Sequence, residues 1–279
     1  MKTGVNLFGL AGLMRDDFEG TLQTLKDSGF TALEPCILFD EGFQMSKEAV
    51  VSGMKKRGLD GAYWLASEAK EKIDAVRRVG LEVTGAHIFL LQFIPGGFDA
   101  ILPQMLETAE ENDLRYYVYC PMIGQIDEMK EKLPSVQRAA AALNEANVDL
   151  LFHNHESELE DEGGDCVFDF LMREVPQMKL EPDVGWVLAA GVDPVALMKK
   201  YSEKIRIIHF KDLDVGKVKA DRDHCFRAVG EGDLPLQRIL EYVRRLPLYE
   251  TGYIIDQDAS EGDMIEDLRI GIRSLNYEK

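Results

Sequence analysis

The sequence predicts a single (β/α)8 barrel, the TIM-barrel architecture, on the basis of three observations. Short apolar runs of strand character alternate eight times with longer segments of helical periodicity. No low-complexity linker divides the 279 residues. Hydrophobic residues make up 46% of the chain, enough for one large core, and single α/β barrels reach about 250 residues or more. We therefore expect one domain over 1–279.

Each of the eight units begins with a predicted strand and continues with a predicted helix. The strands are expected at about 3–8, 31–38, 82–89, 115–120, 149–154, 178–183, 205–210 and 252–257. The helices are expected at about 16–28, 66–79, 98–112, 135–147, 165–175, 193–201, 234–245 and 261–275.

Capping residues support several of these helix boundaries. Polar residues next to proline at 134–135, 193–194 and 233–235 are typical of helix starts. Gly29 and Gly80 stand where a helix ends, just before a strand.

The segment 40–65 is long and glycine-rich, so we predict an extended loop with a short helix after strand 2. In this fold such loops lie at the catalytic face. A doubly wound open sheet is the alternative architecture. It would need a phosphate-binding glycine loop after strand 1, and the residues at 9–12 lack the GxGxxG spacing.

Composition excludes several classes of function. With 32 Lys+Arg and 50 Asp+Glu, the formal charge of −18 disfavours nucleic acid as a partner, since phosphate binding needs clustered bases. No apolar run approaches the roughly 20 residues of a membrane span, and the N-terminus reads as a strand rather than a signal peptide. The four cysteines are widely spaced, which indicates reduced thiols in a cytoplasmic protein.

Polar residues gather at the predicted C-terminal ends of the strands, where the active site of a (β/α)8 barrel lies. Four of the five histidines fall at such ends: His87, His153, His155 and His209. A His/Asp/His/Asp group from strands 5 to 8 would suit a divalent ion, because imidazole and carboxylate match Zn, Mn, Co or Fe(II). The alternatives are structural histidines and, for Lys211-Asp212, a solvated pair at a loop start.

With these residues placed, the sequence resembles the sugar phosphate isomerase/epimerase proteins of the xylose isomerase-like barrel superfamily, in particular a subgroup with a His-Asn-His motif on strand 5. The phrases that carry the resemblance are FHNHESELE (152–160), LEPDVGWVLAAGVDP (180–194), IHFKD (208–212), AVGEGDLP (228–235) and YIIDQD (253–258). Together with Glu34 and His87 they span nearly the whole chain.

The resemblance implies one divalent metal ion (Mn, Zn, Co, Fe or Mg) held by four side chains. Asp183 and His209 match the ligands on strands 6 and 7. His153 and Asp256 fall at the positions on strands 5 and 8, where relatives usually carry Glu. In epimerase relatives these two glutamates also move the proton, so the substitutions leave the mechanism open.

The resemblance further implies an isomerase or epimerase that moves a proton of a sugar substrate through an enediolate. The candidate catalytic residues are Glu34, His87, His155, Glu158 and Lys211. Lys211 would steady the developing oxyanion, and Trp186 would form an apolar wall for the sugar ring, or simply pack.

Three other functions stay open at this point. Loss of a β-hydroxyl at the same site would make the protein a dehydratase. A degenerate barrel would bind sugar without catalysis. DNA repair of the endonuclease IV type is disfavoured, because five histidines provide few ligands for three zinc ions and the chain is acidic. The resemblance also favours a homo-oligomer.

Overall fold

The computed structural model describes residues 2–43 and 46–276, and its parallel strands close into a barrel. The strands, in chain order, are β1 (Thr3–Asn6), β2 (Ala32–Glu34), β3 (Cys36–Leu38), β4 (Trp64–Leu65), β5 (Gly85–Ile88), β6 (Tyr116–Tyr119), β7 (Asp149–Phe152), β8 (Lys179–Leu180), β9 (Ile208–Phe210), β10 (Asp212–Leu213), β11 (Phe226–Arg227) and β12 (Tyr253–Ile255).

Helices follow the barrel strands and cover them from outside. They are α1 (Ala11–Asp16), α2 (Phe18–Asp27), α3 (Lys47–Lys56), α4 (Ala66–Arg78), α5 (Phe98–Asn112), α6 (Ile126–Glu145), α7 (Val167–Glu174), α8 (Val184–Ala189), α9 (Pro194–Lys200), α10 (Leu236–Val243) and α11 (Met264–Leu275).

Two runs of paired strands make up the barrel wall. One has the order β2-β1-β12-β9, and the other runs β4-β3-β5-β6-β7-β8. At one junction only Pro35 separates β2 from β3, and at the other Asp183 forms a parallel bridge with His209. The predicted (β/α)8 fold is therefore confirmed, and each predicted strand has its counterpart.

Side chains alternate between the barrel interior and the surrounding helices, as successive strand residues must. On β6, Tyr116 and Val118 belong to a small buried cluster that fills the interior. Tyr117 and Tyr119, the residues in between, belong to the large core shared with the helices. The polar residues at the strand ends lie above this interior layer.

One predicted helix boundary is wrong. The helix expected from about 135 begins at Ile126, and Pro134 lies inside it. The amide of Ile126 donates to Glu162 Oε2 at 2.7 Å, and acids in the first turn complement the helix dipole. Pro134 costs one internal hydrogen bond, but the carbonyl that loses it belongs to exposed Lys130, where water replaces the donor.

Of the other capping predictions, some are confirmed and one is wrong. Asp193 caps α9 by accepting from Val195 N at 3.0 Å, and Gly29 and Gly80 have the positive φ angles of helix-ending glycines. Asp233 does not cap α10, contrary to expectation. Its carboxylate instead accepts from Val215 N at 2.8 Å and so ties two loops together.

The segment 40–65, predicted as an extended loop with a short helix, contains α3 as a short helix, and in addition a 3-10 turn at Asp40–Gly42 and the edge strand β4. The six-residue helix α8 has no predicted counterpart. It begins directly after Asp183.

The Gly230-Glu231-Gly232 phrase is a turn wrapped around the carboxylate of Asp212. That carboxylate accepts hydrogen bonds from the backbone amides of Leu213, Gly230, Gly232 and Leu234, at 2.9–3.1 Å. A Cβ on residue 232 would lie 2.2 Å from Asp212 Oδ1, so glycine is needed there. Asp212 is therefore buried and hydrogen-bonded, not solvated.

Replacing Asp212 should destabilise the fold. Asp212→Ala leaves these amides without their acceptor, and we expect the free energy of unfolding to fall by about 2–4 kcal/mol in urea denaturation. Asp223→Ala, at an exposed position of the same loop region, should change it by less than about 0.5 kcal/mol. Equal stability of the Asp212→Ala variant and the wild type would contradict this role.

Candidate active site

A cavity of about 470 Å³ opens at the C-terminal ends of the barrel strands. Its position agrees with the general location of active sites in this fold. The basic and acidic side chains that line it are His87, His153, His155, Lys211, Arg222, Asp256 and Asp258.

His209 is fully buried next to the cavity, with its ring centre 4.7 Å from that of His153, a lining residue. On β9 its neighbours Ile208 and Phe210 pack into the core shared with the helices, so the imidazole points inward. Its Nδ1 lies 3.2 Å from Asp256 Oδ2, and its Nε2 lies 2.7 Å from Glu34 Oε2. Both imidazole nitrogens therefore face carboxylates.

The structure brings the four predicted metal ligands together. Each comes from the end of a different barrel strand, and the candidate ligand atoms lie within 4.8 Å of one another. All four side chains are buried: His153, Asp183, His209 and Asp256. This spacing is what a single divalent ion requires, whereas a surface cluster of acids would not converge in this way.

Two carboxylate oxygens in this group lack a hydrogen-bond partner within the described part of the chain. Asp183 uses Oδ1 to cap α8, accepting from Gly185 N at 2.9 Å and Trp186 N at 3.0 Å. Its Oδ2 is left without a partner, as is Oδ1 of Asp256. Buried oxygens of this kind are costly unless something binds them, so the donor set fits a cation.

The pKa of Asp183 points the same way. Burial raises it to about 7, although the charge of Lys211 opposes the shift. The nearest ammonium, Lys211 Nζ, is 3.9 Å from Asp183 Oδ2. The anionic form of Asp183 is therefore short of positive charge, which a divalent ion would supply.

A second set of ligand-type side chains shares two of these residues. His87 and Glu181 join His153 and His209, again with ligand atoms within 4.8 Å. Glu181 Oε1 lies 2.9 Å from His87 Nε2 and 3.0 Å from His209 Nε2. The sequence analysis assigned no role to Glu181, although it stands two residues before Asp183 on the same strand end.

Lys211 is buried with 2% exposure and stands among carboxylates. Its Nζ lies 2.9 Å from Asp256 Oδ2 and 2.7 Å from Asp258 Oδ2. Burial alone would lower the pKa of Lys211, but these carboxylates outweigh it and raise the pKa above its ordinary value. The side chain is a fixed ammonium at the cavity wall, and not a solvated charge.

The two other histidines at the cavity differ in charge. Burial would lower the pKa of His87, but Glu34 and Glu181 outweigh it and raise that pKa to about 9. Burial lowers the pKa of His155 to about 4, and the charge of Lys211 adds to the effect. His155 is therefore neutral, with its Nδ1 3.3 Å from Cys120 Sγ.

Two predicted catalytic residues do not line the cavity. Glu34 is buried beneath it, where it contacts His209 and accepts from Tyr116 Oη at 2.9 Å. Glu158 accepts from Ile123 N at 3.0 Å and from His155 N at 2.9 Å, which makes it an anchor for two loops.

Trp186 forms part of the cavity wall but is only 1% exposed. The guanidinium of Arg222 lies 4.3 Å from the centre of its ring system. Arg222 in turn forms an ion pair with Glu156. Of the segment Asp221 to His224, Arg222 is thus at the cavity, whereas exposed His224 pairs with Asp221.

Asp258 is a cavity residue to which the sequence analysis assigned no role. It follows Asp256 by two positions and holds Lys211, so both carboxylates share the same ammonium. The rule that residues i and i+2 point to one side of a strand would have found it. Cys120 and Arg222 carried no comparable signal.

Comparison with solved structures supports the fold over nearly the whole chain. A sugar phosphate isomerase/epimerase from Parabacteroides distasonis superposes with a TM-score of 0.74 at 18% identity, covering 97% of this chain and 91% of that one. A 3-keto-D-glucoside 4-epimerase from E. coli gives 0.66 at 13% identity, covering 99% and 98%. An IolI protein with a bound zinc atom gives 0.63 at 14%, covering 98% and 96%.

The chain has the xylose isomerase-like TIM-barrel fold. The resemblance stated from sequence is confirmed at this level, while the His-Asn-His subgroup stays a prediction. No protein-family model matches the chain. An inosose dehydratase of Lacticaseibacillus casei is 23% identical over 140 residues. The match covers 46% of this chain and 45% of the dehydratase, so the chain spans about half the length of that curated relative.

Among residues 2–43 and 46–276, no helix has the length and apolar character to cross a membrane.

Metal titration will distinguish the two ligand sets of this xylose isomerase-like barrel. We expect Mn²⁺-reconstituted protein to hold about one ion per chain by elemental analysis. Asp183→Asn and Asp256→Asn should weaken binding more than about 100-fold, because each removes a ligand of the predicted set alone. His87→Gln, which touches the second set alone, should retain the ion. Full metal in the aspartate variants, or its loss in His87→Gln, would contradict the predicted ligands.

Proposed function

We propose that this protein is a metal-dependent enzyme that moves a proton beside the carbonyl group of a sugar or polyol-derived ketone, as an isomerase or epimerase. One observation carries the proposal. His153, Asp183, His209 and Asp256 converge beside an open cavity that His153 and Asp256 line, and two of their buried carboxylate oxygens lack partners among the described residues.

The donor set is two imidazoles and two carboxylates, which suits Zn, Mn, Co or Fe(II) better than an all-oxygen ion such as Mg. When bound, the ion would polarise the substrate carbonyl and stabilise negative charge on the neighbouring oxygens of an enediolate. Asp183 is already oriented for this task, because the amides at the start of α8 hold its Oδ1 and leave Oδ2 directed to the cluster.

His155 is the best-placed base among the candidates predicted from sequence. It lines the cavity, whereas Glu34 and Glu158 are engaged elsewhere. With Nδ1 beside Cys120 Sγ, its Nε2 is the nitrogen left to take the α-proton of a ketone.

Asp258 is the proposed partner that returns a proton. It would donate from its neutral acid form, which burial favours by raising the pKa of Asp258, while the proton taken by His155 passes to solvent. Asp258 lines the cavity from the end of a different strand, after β12, and so approaches the substrate from another direction than His155. Return to the neighbouring carbon gives isomerisation, and return to the opposite face gives epimerisation. Lys211, held by Asp256 and Asp258, would stabilise the developing oxyanion with its fixed ammonium.

A dehydratase is the second candidate function, and the curated relative favours it, since that protein is an inosose dehydratase. A probable 3-DHS dehydratase from Bacillus anthracis also superposes, with a TM-score of 0.68 at 14% identity over the full length of both chains. In this reaction the base removes the α-proton and a β-hydroxyl leaves with a proton as water. The same residues serve both reactions up to the enediolate.

Proton exchange in heavy water tests the proposal without requiring the final product. We expect Mn²⁺-loaded protein to exchange the α-protons of at least one compound in a panel of ketoses, inososes and their phosphates, as seen by NMR. Removal of the metal with a chelator should abolish exchange. His155→Gln should slow it by about 10²–10⁴-fold, the usual contribution of a positioned base.

The exposed residue His224 supplies the matched control. His224→Gln changes the same side chain outside the cavity and should exchange at the wild-type rate. A product that has lost water relative to the substrate would assign the protein as a dehydratase. Exchange that is equal in chelated protein or in His155→Gln would refute the proposed mechanism, and a panel without any exchange would favour a sugar-binding barrel that lacks catalysis.

A further inference from the structure

The candidate active-site cavity adjoins a second, more apolar cavity. This annex, of about 410 Å³, lies against α3 and is walled by Ala49, Val50, Met54, Leu59, Leu90 and Phe93. Leu59, Leu90 and Phe93 line both cavities, so they form the junction between them. The metal-ligand candidates contribute nothing to the described lining of the annex.

The outer part of the active-site cavity is also apolar and aromatic. Phe93 and Met122 are 64% and 57% exposed, although large hydrophobic side chains are usually covered. Phe8 and Phe89 lie side by side with ring centres 6.4 Å apart, and Tyr63 stacks on Phe89 at 5.2 Å. This surface is larger than the single aromatic wall that Trp186 would offer to a sugar ring.

Backbone strain is concentrated at the same place. Leu90 and Met122 have φ angles of 55° and 53°, in the left-handed region that non-glycine residues avoid. Asp113 and Asn147 share this conformation but follow the ends of helices, where it is common. At Leu90 and Met122 the strain instead fixes two apolar side chains at the cavity wall.

The positive charges along the two cavities are poorly placed to bind a phosphate. Lys211 is held by Asp256 and Asp258, and Arg222 is paired with Glu156. Arg57, at the annex, donates to the carbonyl of Gly53 at 3.1 Å on its own helix.

We propose that the annex is a subsite for an aromatic aglycone, so that the substrate is an uncharged glycoside and not a sugar phosphate. This rests on the proposed function, which places the hydroxylated ketone at the metal-ligand candidates. The ring of the aglycone passes Leu90 and Phe93 and lies against Val50 and Met54 of α3. Apolar contact in the annex then supplies affinity that a hydroxylated ring alone lacks.

Calorimetric titration of the Mn²⁺-loaded full chain with phenyl β-D-glucopyranoside and methyl β-D-glucopyranoside tests this subsite. We expect the phenyl glucoside to bind about tenfold more tightly or better, because its ring reaches the annex. Glucose 6-phosphate should bind no more tightly than the methyl glucoside. Equal affinity for the two glucosides, no binding of the phenyl glucoside, or a preference for the phosphate would overturn the proposal.

Two tryptophan substitutions on α3 form a matched pair. Ala49→Trp fills the annex and should reduce the phenyl-to-methyl preference to about one. Ser52→Trp adds the same bulk at an exposed position that does not line the annex, and should keep the preference. Retention of the preference in Ala49→Trp would overturn the subsite.

Metal removal separates this proposal from the proposed function. The phenyl preference should persist in chelated protein, since the annex contains none of the metal-ligand candidates. Persistence of the preference without any metal-dependent proton exchange would refute the proposed function alone. Metal-dependent proton exchange without the phenyl preference would refute the proposed role of the annex as a subsite, and not the proposed function.

Discussion

The site depends on one electrostatic constraint, a concentration of buried carboxylates around the imidazole of His209. Glu34, Glu181, Asp183 and Asp256 are all at most 5% exposed, and burial of so many acids without compensating charge would be prohibitively costly. Lys211 compensates Asp256, and His87, whose pKa is raised to about 9, compensates Glu34 and Glu181. Oxygens of Asp183 and Asp256 are still without partners among the described residues. The proposed divalent cation would bind them, which is why the proposed chemistry begins from the metal.

The barrel stabilises this concentration of charge by holding the side chains at the ends of several strands, with Glu181 and Asp183 both following β8. On β9 the alternation of inward and outward residues sends Ile208 and Phe210 to the helices and His209 to the interior. At the end of β8, the first amides of α8 fix the rotamer of Asp183. The loop after β9 is held by Asp212, so the neighbouring Lys211 has a fixed position. The ligand set is therefore organised before any ion binds.

Much of this arrangement follows from the sequence, because hydrophobic periodicity marks the strands and the barrel places their C-terminal ends together. That logic located all four predicted ligands in one cluster. It did not find Glu181, whose role depends on which neighbouring strand its carboxylate faces, information that the period along one strand does not contain. The same period places Asp258 on the side of Asp256, but it does not show that both carboxylates hold Lys211. The predicted start of α6 was wrong for a related reason, because the acceptor for the first amide of this helix is Glu162, which is remote in sequence. The annex arises from packing between α3 and the loop at Leu90, which no local pattern encodes.

The most direct test of the central claim is the position of the ion itself. A crystal of the Mn²⁺-loaded protein, measured at a wavelength where manganese scatters anomalously, would place it in an anomalous difference map. The account predicts one peak within coordination distance of His153, Asp183, His209 and Asp256. A peak between His87 and Glu181, or no peak in protein shown by elemental analysis to contain manganese, would contradict it.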